Sequence, residues 1–275
     1  MGLLFIFNVI IDVESWKSYQ FIISRYFICL LFAVILLQLK KSTLLLTCLI
    51  AVDLRGMKPE LISNDLCPFV QCSVITLLEK NIEFDVTYID LERPPTWFLE
   101  TSPLAMVPIL KHNGSVLFES AVINEYIDEI APPSIHPNNS MEKANNRSWI
   151  RFSSRLIDLQ TSLSTADSKE DFTYILQELS QGLKNFEKYI LNSPFFNGEK
   201  FSLVDAAIAP FFLRLRLMET RRRLGLLEGL PNLQAWSKAL IARPSVINSV
   251  RNDFNLKFLN YIKTHSKYAA LIFAR

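Results

Sequence analysis

The stretch Met57-Lys58-Pro59-Glu60-Leu61-Ile62-Ser63-Asn64-Asp65-Leu66-Cys67-Pro68-Phe69-Val70-Gln71-Cys72 reads as a short strand, a turn and the opening of a helix. Asn64-Asp65 is a turn pair, and Pro68 suits the first helical position because its missing N–H would be unpaired there anyway. Cys67 is therefore expected at the N-cap. Free N–H groups and the helix dipole favour negative charge at that end, which predicts a thiol pKa below the ordinary value of about 8.5 and a nucleophile at neutral pH. A free cysteine is more often a small buried hydrophobe. The proline and the polar turn shift this one towards chemistry.

Outward from there, Phe69, Val70, Val74, Ile75, Leu77 and Leu78 give Pro68–Glu79 a helix-spaced apolar face. Phe84–Ile89 alternates as a strand. After the proline-interrupted stretch Leu91–Pro103, strands are predicted at Val107–Lys111 and Ser115–Phe118, joined through Asn113-Gly114, a hairpin signal. A helix is predicted over Glu119–Ile130. The order is βαβ then ββα, an α/β domain with a four-stranded mixed sheet and a helix layer. Ala131–Asn139, rich in Pro, Asn and Ser, reads as a linker. Beyond it the periodicity is helical throughout, at Met141–Ser164, Glu170–Leu191, Leu203–Gly225, Leu233–Ala242 and Phe254–Ile262. The expected division is a leader over 1–56, an α/β domain over 57–131, a linker over 132–140 and an all-α domain over 141–275.

Composition excludes several chemistries. With seven glycines in 275 residues, no G-x-G-x-x-G or Walker A sequence occurs, so the phosphate-cradling loops of nucleotide sites are not signalled. His112, His136 and His265 fall in no metal-ligand spacing, so no metal site is read. Four cysteines (29, 48, 67 and 72) do not make a disulfide scaffold and point to a reducing, cytoplasmic setting. Residues 1–56 hold five Lys or Arg and three Asp or Glu, so of the 29 and 27 in the whole chain the remainder holds 24 of each sign. That balance gives no footing for nucleic acid. The leader itself is strongly apolar. Phe21–Leu39, 19 residues with the single charge Arg25, has the length of a membrane-spanning helix and is followed by Lys40-Lys41. Two readings stand, a membrane anchor or an upstream segment not normally translated ahead of a start at Met57.

Two further motifs read structurally. Ser202-Leu203-Val204-Asp205 before the run AAIAPFF predicts a capping box at the start of a central helix. Arg221-Arg222-Arg223, near a helix end, is explained by the dipole and solvation.

Four features in order, Leu66-Cys67-Pro68-Phe69, Met106–Leu110, Phe118–Ile123, and Phe201–Phe212 with Leu230-Pro231-Asn232-Leu233, Trp236 and Arg243-Pro244-Ser245-Val246, resemble the glutathione transferases. Cys67-Pro68-Phe69-Val70-Gln71 is most similar to the omega-type and related bacterial cysteine-containing members. The resemblance covers about Met57 to Arg251. It implies a thioredoxin-like N-terminal domain followed by an all-α domain, glutathione as co-substrate and a homodimer. It also implies Cys67 as nucleophile, with Phe69, Val107, Pro108, Glu119 and Ser120 holding glutathione. Val107, before a proline that is cis in the family, would pair with the peptide backbone of the cysteinyl unit. Glu119 and Ser120 would take the γ-glutamyl end at a helix start, where Ser120 can also cap. Cys72 stands where many relatives have Arg. Arg93 is the nearest cation to the place of one that contacts the glycyl carboxylate. The co-substrate pocket is expected between the domains, near Trp149 and Arg151.

The function these features imply is a glutathione-dependent thiol transferase or reductase acting on an electrophilic or disulfide small molecule through a mixed disulfide on Cys67. The alternative is a non-catalytic glutathione-fold binding or regulatory protein, membrane-associated through residues 1–56.

Overall fold

The computed structural model describes residues 58–190 and 194–274. The leader expected over 1–56 lies outside the described residues. Four strands, β1 (Glu60–Ser63), β2 (Asp85–Tyr88), β3 (Ile109–His112) and β4 (Ser115–Phe118), form one sheet in the order β2-β1-β3-β4. β1 pairs parallel with β2 and antiparallel with β3, which pairs antiparallel with β4. The βαβ-ββα order read from the sequence is the order observed. β3 begins later than predicted, at Ile109 rather than Val107, because Pro108 has no N–H to give the ladder.

Helix α1 (Pro68–Glu79) packs against α3 (Ser120–Ile130) and against α6 (Leu203–Arg221) of the helical part. Its Val70 and Leu77 belong to the core under the sheet with Leu61, Ile62, Ile109, Leu110 and Ile123. Its Cys72 and Ile75 belong to the helical core. An apolar helix with partners on both sides is buried almost all round, so α1 serves as the common wall of both cores. A short helix α2 (Thr96–Thr101) buries Phe98 inside the proline-rich stretch where no element was predicted.

The helical part runs α4 (Ser140–Ser164), α5 (Lys169–Glu187), α6, α7 (Pro231–Ile241), the single turn α8 (Pro244–Ile247), α9 (Phe254–His265) and α10 (Tyr268–Phe273). At the head of α6 the capping box read from the sequence is present. Asp205 Oδ2 accepts from the N–H and the hydroxyl of Ser202 at 2.8 and 2.6 Å, and Oδ1 accepts from Phe196 N–H at 2.9 Å and Trp236 Nε1 at 2.6 Å. Burial pushes the Asp205 carboxyl up while these four donors pull it down. Four donors on one buried carboxylate tie α6 to α7, since each would otherwise be an unpaired buried polar group. α6 stops at Arg221, short of the predicted Gly225, because the Glu219 carboxylate takes the N–H groups of Leu224 and Gly225, both at 3.1 Å.

The link between the two parts is pinned by buried charge. Lys80 Nζ donates to Asp128 Oδ1 at 2.7 Å, and Asp128 also accepts from Ser134 Oγ at 2.5 Å and Ile135 N–H at 2.8 Å. Across α1 and α8, Arg243 donates twice to Glu79, at 2.5 and 2.6 Å. Fork-to-carboxylate pairing fixes orientation as well as distance, so the C-terminal end of α1 is held from two sides. That rigidity positions the residue at its start.

Candidate active site

Cys67 is the N-cap of α1 and Pro68 its first residue, as the sequence implied. Asn64 shapes the turn, its Oδ1 accepting from Leu66 N–H at 3.0 Å and its carbonyl from Cys67 N–H at 3.2 Å. The sulfur lies 3.8 Å from the Val107 carbonyl oxygen. The expected fall in thiol pKa is corrected. Burial pushes the Cys67 thiol up, against the N–H groups of Val70 and Phe69 and the Arg214 guanidinium, which pull it down. Burial wins because loss of hydration penalises the anion more than a helix end compensates it.

Arg214 is the residue that the sequence reading missed. It is buried in α6, 4 % exposed, and reaches across to the turn before Cys67. Its Nη2 donates to Leu66 O at 2.8 Å and its Nη1 to Pro210 O at 3.0 Å and Gln71 Oε1 at 2.5 Å. Burial brings its pKa down to about 10, with Cys67 and then Cys72 opposing, so it is a cation at neutral pH. The positive charge expected at position 72 thus arrives from the other domain. Cys72 is buried, its sulfur 3.3 and 3.4 Å from the carbonyl oxygens of Pro68 and Ala207, and burial pushes its thiol up to about 12. It packs as a neutral thiol.

Cys67 lines one cavity and its sulfur touches Val107 of another. One, of about 420 Å³, is lined by Cys67, Pro68, Gln160, Thr161, Arg214, Phe258, Tyr261 and His265, with Glu92 at its edge. The His265 ring stacks on Tyr261 at 4.1 Å between centroids, and its Nε2 pairs with Glu92 Oε1 at 3.1 Å. The other, of about 310 Å³, brings together Phe69, Val107, Pro108, Glu119 and Ser120, all five residues expected to hold glutathione. The Val107-Pro108 peptide is cis. Glu119 sits at φ 68°, in the left-handed region that non-glycine residues seldom enter. It, not Ser120, is the N-cap of α3, and no side chain caps that end. The leading N–H groups of α3 are therefore open to a carboxylate. Strain of this kind, of order 1–3 kcal/mol, persists where surrounding structure enforces it.

Residues 66–130 match the family model described as "Glutathione S-transferase, N-terminal domain", and residues 145–239 the one described as "Glutathione S-transferase, C-terminal domain". Glutathione S-transferase omega-1 of Rattus norvegicus is 31% identical over 182 residues, covering 65% of this chain and 74% of the rat protein. The chain belongs to the glutathione transferase family. This is a family of enzymes that use glutathione as co-substrate. Glutathione S-transferase DHAR3, chloroplastic, of Arabidopsis thaliana is 31% identical over 187 residues, covering 66% of this chain and 68% of the plant protein. The crystal structure of glutathione transferase Omega 3C from Trametes versicolor superposes with a TM-score of 0.62 at 26% identity, covering 71% of this chain and 90% of that one.

Three expectations about this transferase change with the geometry. Arg93 is 89% exposed at its side chain, pairs loosely with Asp90 at 3.7 Å and lines neither cavity. Trp149 and Arg151 do not share a pocket. Two residues apart on α4, they point about 200° from each other around the helix axis, Arg151 into the cavity of Glu119 and Ser120 and Trp149 into a separate groove with Tyr189 and Phe196. The space beside the thiol is instead walled by α9, whose Phe258, Tyr261 and His265 form one helix-spaced row. The sequence signal for Arg214 was weak, since it shares the largely apolar stretch of α6 with a second cation, the exposed Arg216. A charge buried there has to be paired or hydrogen-bonded.

Proposed function

We propose that this chain is a thiol transferase or reductase that uses Cys67 as nucleophile and glutathione as the thiol it carries. The Cys67 thiolate attacks the glutathionyl sulfur of a mixed disulfide RS–SG. The S–S bond breaks, RS⁻ leaves and takes a proton, and Cys67–S–SG forms. A second glutathione thiolate then attacks the Cys67–S–SG disulfide at its glutathionyl sulfur, giving oxidised glutathione and restoring the Cys67 thiolate. The observation that carries this is the position of Cys67 at the start of α1 beside the buried Arg214 cation, bordering one cavity and touching Val107 of the other. Because burial raises its pKa, attack at neutral pH runs through a minor thiolate. That thiolate is intrinsically the stronger nucleophile for its higher pKa.

In this reading Val107 pairs with the cysteinyl backbone, Phe69 and Pro108 pack beside it, and Glu119 and Ser120 take the γ-glutamyl end. The disulfide or electrophilic co-substrate occupies the cavity under Tyr261 and His265. The working protein is a homodimer in the reducing cytoplasm, divided as 57–131, 132–140 and 141–275. Turnover of a glutathione mixed disulfide, followed as oxidised glutathione released, tests the reading. It is expected in the wild type and absent in Cys67→Ser. No turnover by a wild type that still binds glutathione would overturn it.

That second outcome belongs to the other reading, a glutathione-binding regulatory protein. The burial that keeps the Cys67 thiol protonated favours it.

A further inference from the structure

Arg214 is a buried cation without a carboxylate. Among the described residues its acceptors are all neutral, the carbonyl oxygens of Leu66 and Pro210 and the amide oxygen of Gln71. A buried charge is ordinarily matched by an opposite one. Here dipoles solvate the guanidinium and leave its field uncancelled, and the groups that feel it are the thiols of Cys67 and Cys72. Among the described residues Arg214 is also the one charged side chain that pulls the Cys67 thiol down. A carboxylate in place of the Gln71 amide would pair with the guanidinium and cancel much of that field before it reached the sulfur.

Gln71 lies about one turn beyond Cys67 on α1, is buried, and lines neither cavity. Its side chain is held on both sides. A guanidinium only donates, so the amide oxygen has to face Arg214 and the amide nitrogen has to face away. There Nε2 donates to Ser249 Oγ at 2.9 Å, and Ser249, having accepted, gives its own proton to Val246 O at 2.7 Å. The chain from Arg214 through Gln71 and Ser249 to Val246 thus runs in one direction, from α6 across α1 to the loop between α8 and α9. On its other side Arg214 reaches Leu66 O, the carbonyl that precedes Cys67. We propose that Gln71 is a positioning residue for thiol transfer, holding Arg214 at the Cys67 turn as a cation that no anion neutralises, with Ser249 fixing the face of the amide that Arg214 meets. This rests on the reading of Cys67 as the nucleophile.

The rate of alkylation by iodoacetamide against pH, followed on the full chain and localised to Cys67 by fragment mass, reads the thiolate without glutathione. Arg214→Met is expected to raise the midpoint pH by about one unit, and Gln71→Met by about half a unit, which is about a threefold loss of thiolate at pH 7. Ser249→Ala is expected to shift it the same way by less. In the Arg214→Met background Gln71→Met adds no further shift, because its route to the sulfur runs through the guanidinium. A side chain that merely supports the fold would shift the midpoint alike in both backgrounds. The proposal is overturned if Gln71→Met leaves the midpoint unchanged, or moves it equally with and without Arg214. If Gln71→Met does not fold, Ser249→Ala decides, and an unchanged midpoint there overturns the proposal. A wild type that turns over no glutathione mixed disulfide overturns the thiol-transfer reading, while the alkylation series still decides whether Gln71 holds the cation at Cys67.

Discussion

On one side of Cys67 the cavity wall is Phe258, Tyr261 and His265 above Gln160 and Thr161, aromatic faces over hydrogen-bonding side chains. On the side of Val107 the wall is Glu119, Ser120, Glu125, Arg147, Arg151 and Asp158, charge around an open helix end. The aromatic wall belongs to α9 near the end of the chain and is tied to the β2–α2 loop through the exposed His265–Glu92 contact. The charged wall is built from α3 and α4, with Arg147 and Glu125 locked together across them. A polar cradle selects one partner by its charges, whereas an aromatic wall sorts partners by shape and area. Placed between the two, a thiol can accept the same tripeptide in every turnover and vary what it is exchanged with.

The strongest way to break that division is at the thiol. Cys67→Ser is expected to lower thiol-transfer kcat at least about a thousandfold while glutathione still binds the charged cavity, measured by turnover and calorimetry on one preparation. Arg214→Met tests whether the bridging cation serves the thiol. Stripping donors from Leu66 O, Pro210 O and Gln71 should cost about 2 kcal/mol of stability by denaturant unfolding. It should also raise the pH at which Cys67 is alkylated, since the Arg214 charge lowers that thiol's pKa. A crossed pair sharpens the comparison further. Tyr261→Ala should raise KM for the co-substrate about tenfold and leave KM for glutathione alone, and Ser120→Ala should do the reverse. Equal effects on both constants from either variant would merge the two cavities into one site.

The smallest effect concerns stability at alkaline pH. Burial raises the pKa of both thiols, so the folded chain holds these protons more tightly than the unfolded chain. The stabilisation is complete below the ordinary thiol value of about 8.5 and is lost as pH rises through the folded values, towards about 12 for Cys72. Cys72→Ala should therefore flatten the alkaline fall of Tm between about pH 8.5 and 11, in exchange for a small cavity cost near neutrality.

Much of this frame was legible in the residues because it depends on neighbours in sequence. Asn64 to Pro68 encodes a turn and a helix start within five residues, and Asn113-Gly114 encodes a hairpin. Ser202 and Asp205 encode their own cap. Elements were missed where a contact distant in sequence decides. α2 forms in a proline-rich stretch because Phe98 is buried under the sheet, and α10 because Phe273 reaches the helical core. The left-handed Glu119 was unreadable, since no glycine marked it. The six residues expected at the site lie in three short motifs, Leu66–Phe69, Met106–Leu110 and Phe118–Ile123. Arg214 was not legible in this way, because it meets Leu66 across 148 positions. The sign of the Cys67 shift failed for a related reason. A helix end is written locally, but the burial that outweighs it depends on packing distant in sequence, such as the Val107 carbonyl 3.8 Å from the sulfur.

The most direct measurement is the intact mass of the wild type, Cys72→Ala and Cys67→Ser after incubation with oxidised glutathione at neutral pH. One disulfide-linked glutathione on the wild type and on Cys72→Ala, removed by added reduced glutathione, and none on Cys67→Ser is the predicted result. An adduct that survives in Cys67→Ser, or a wild type that never acquires one, would contradict the account.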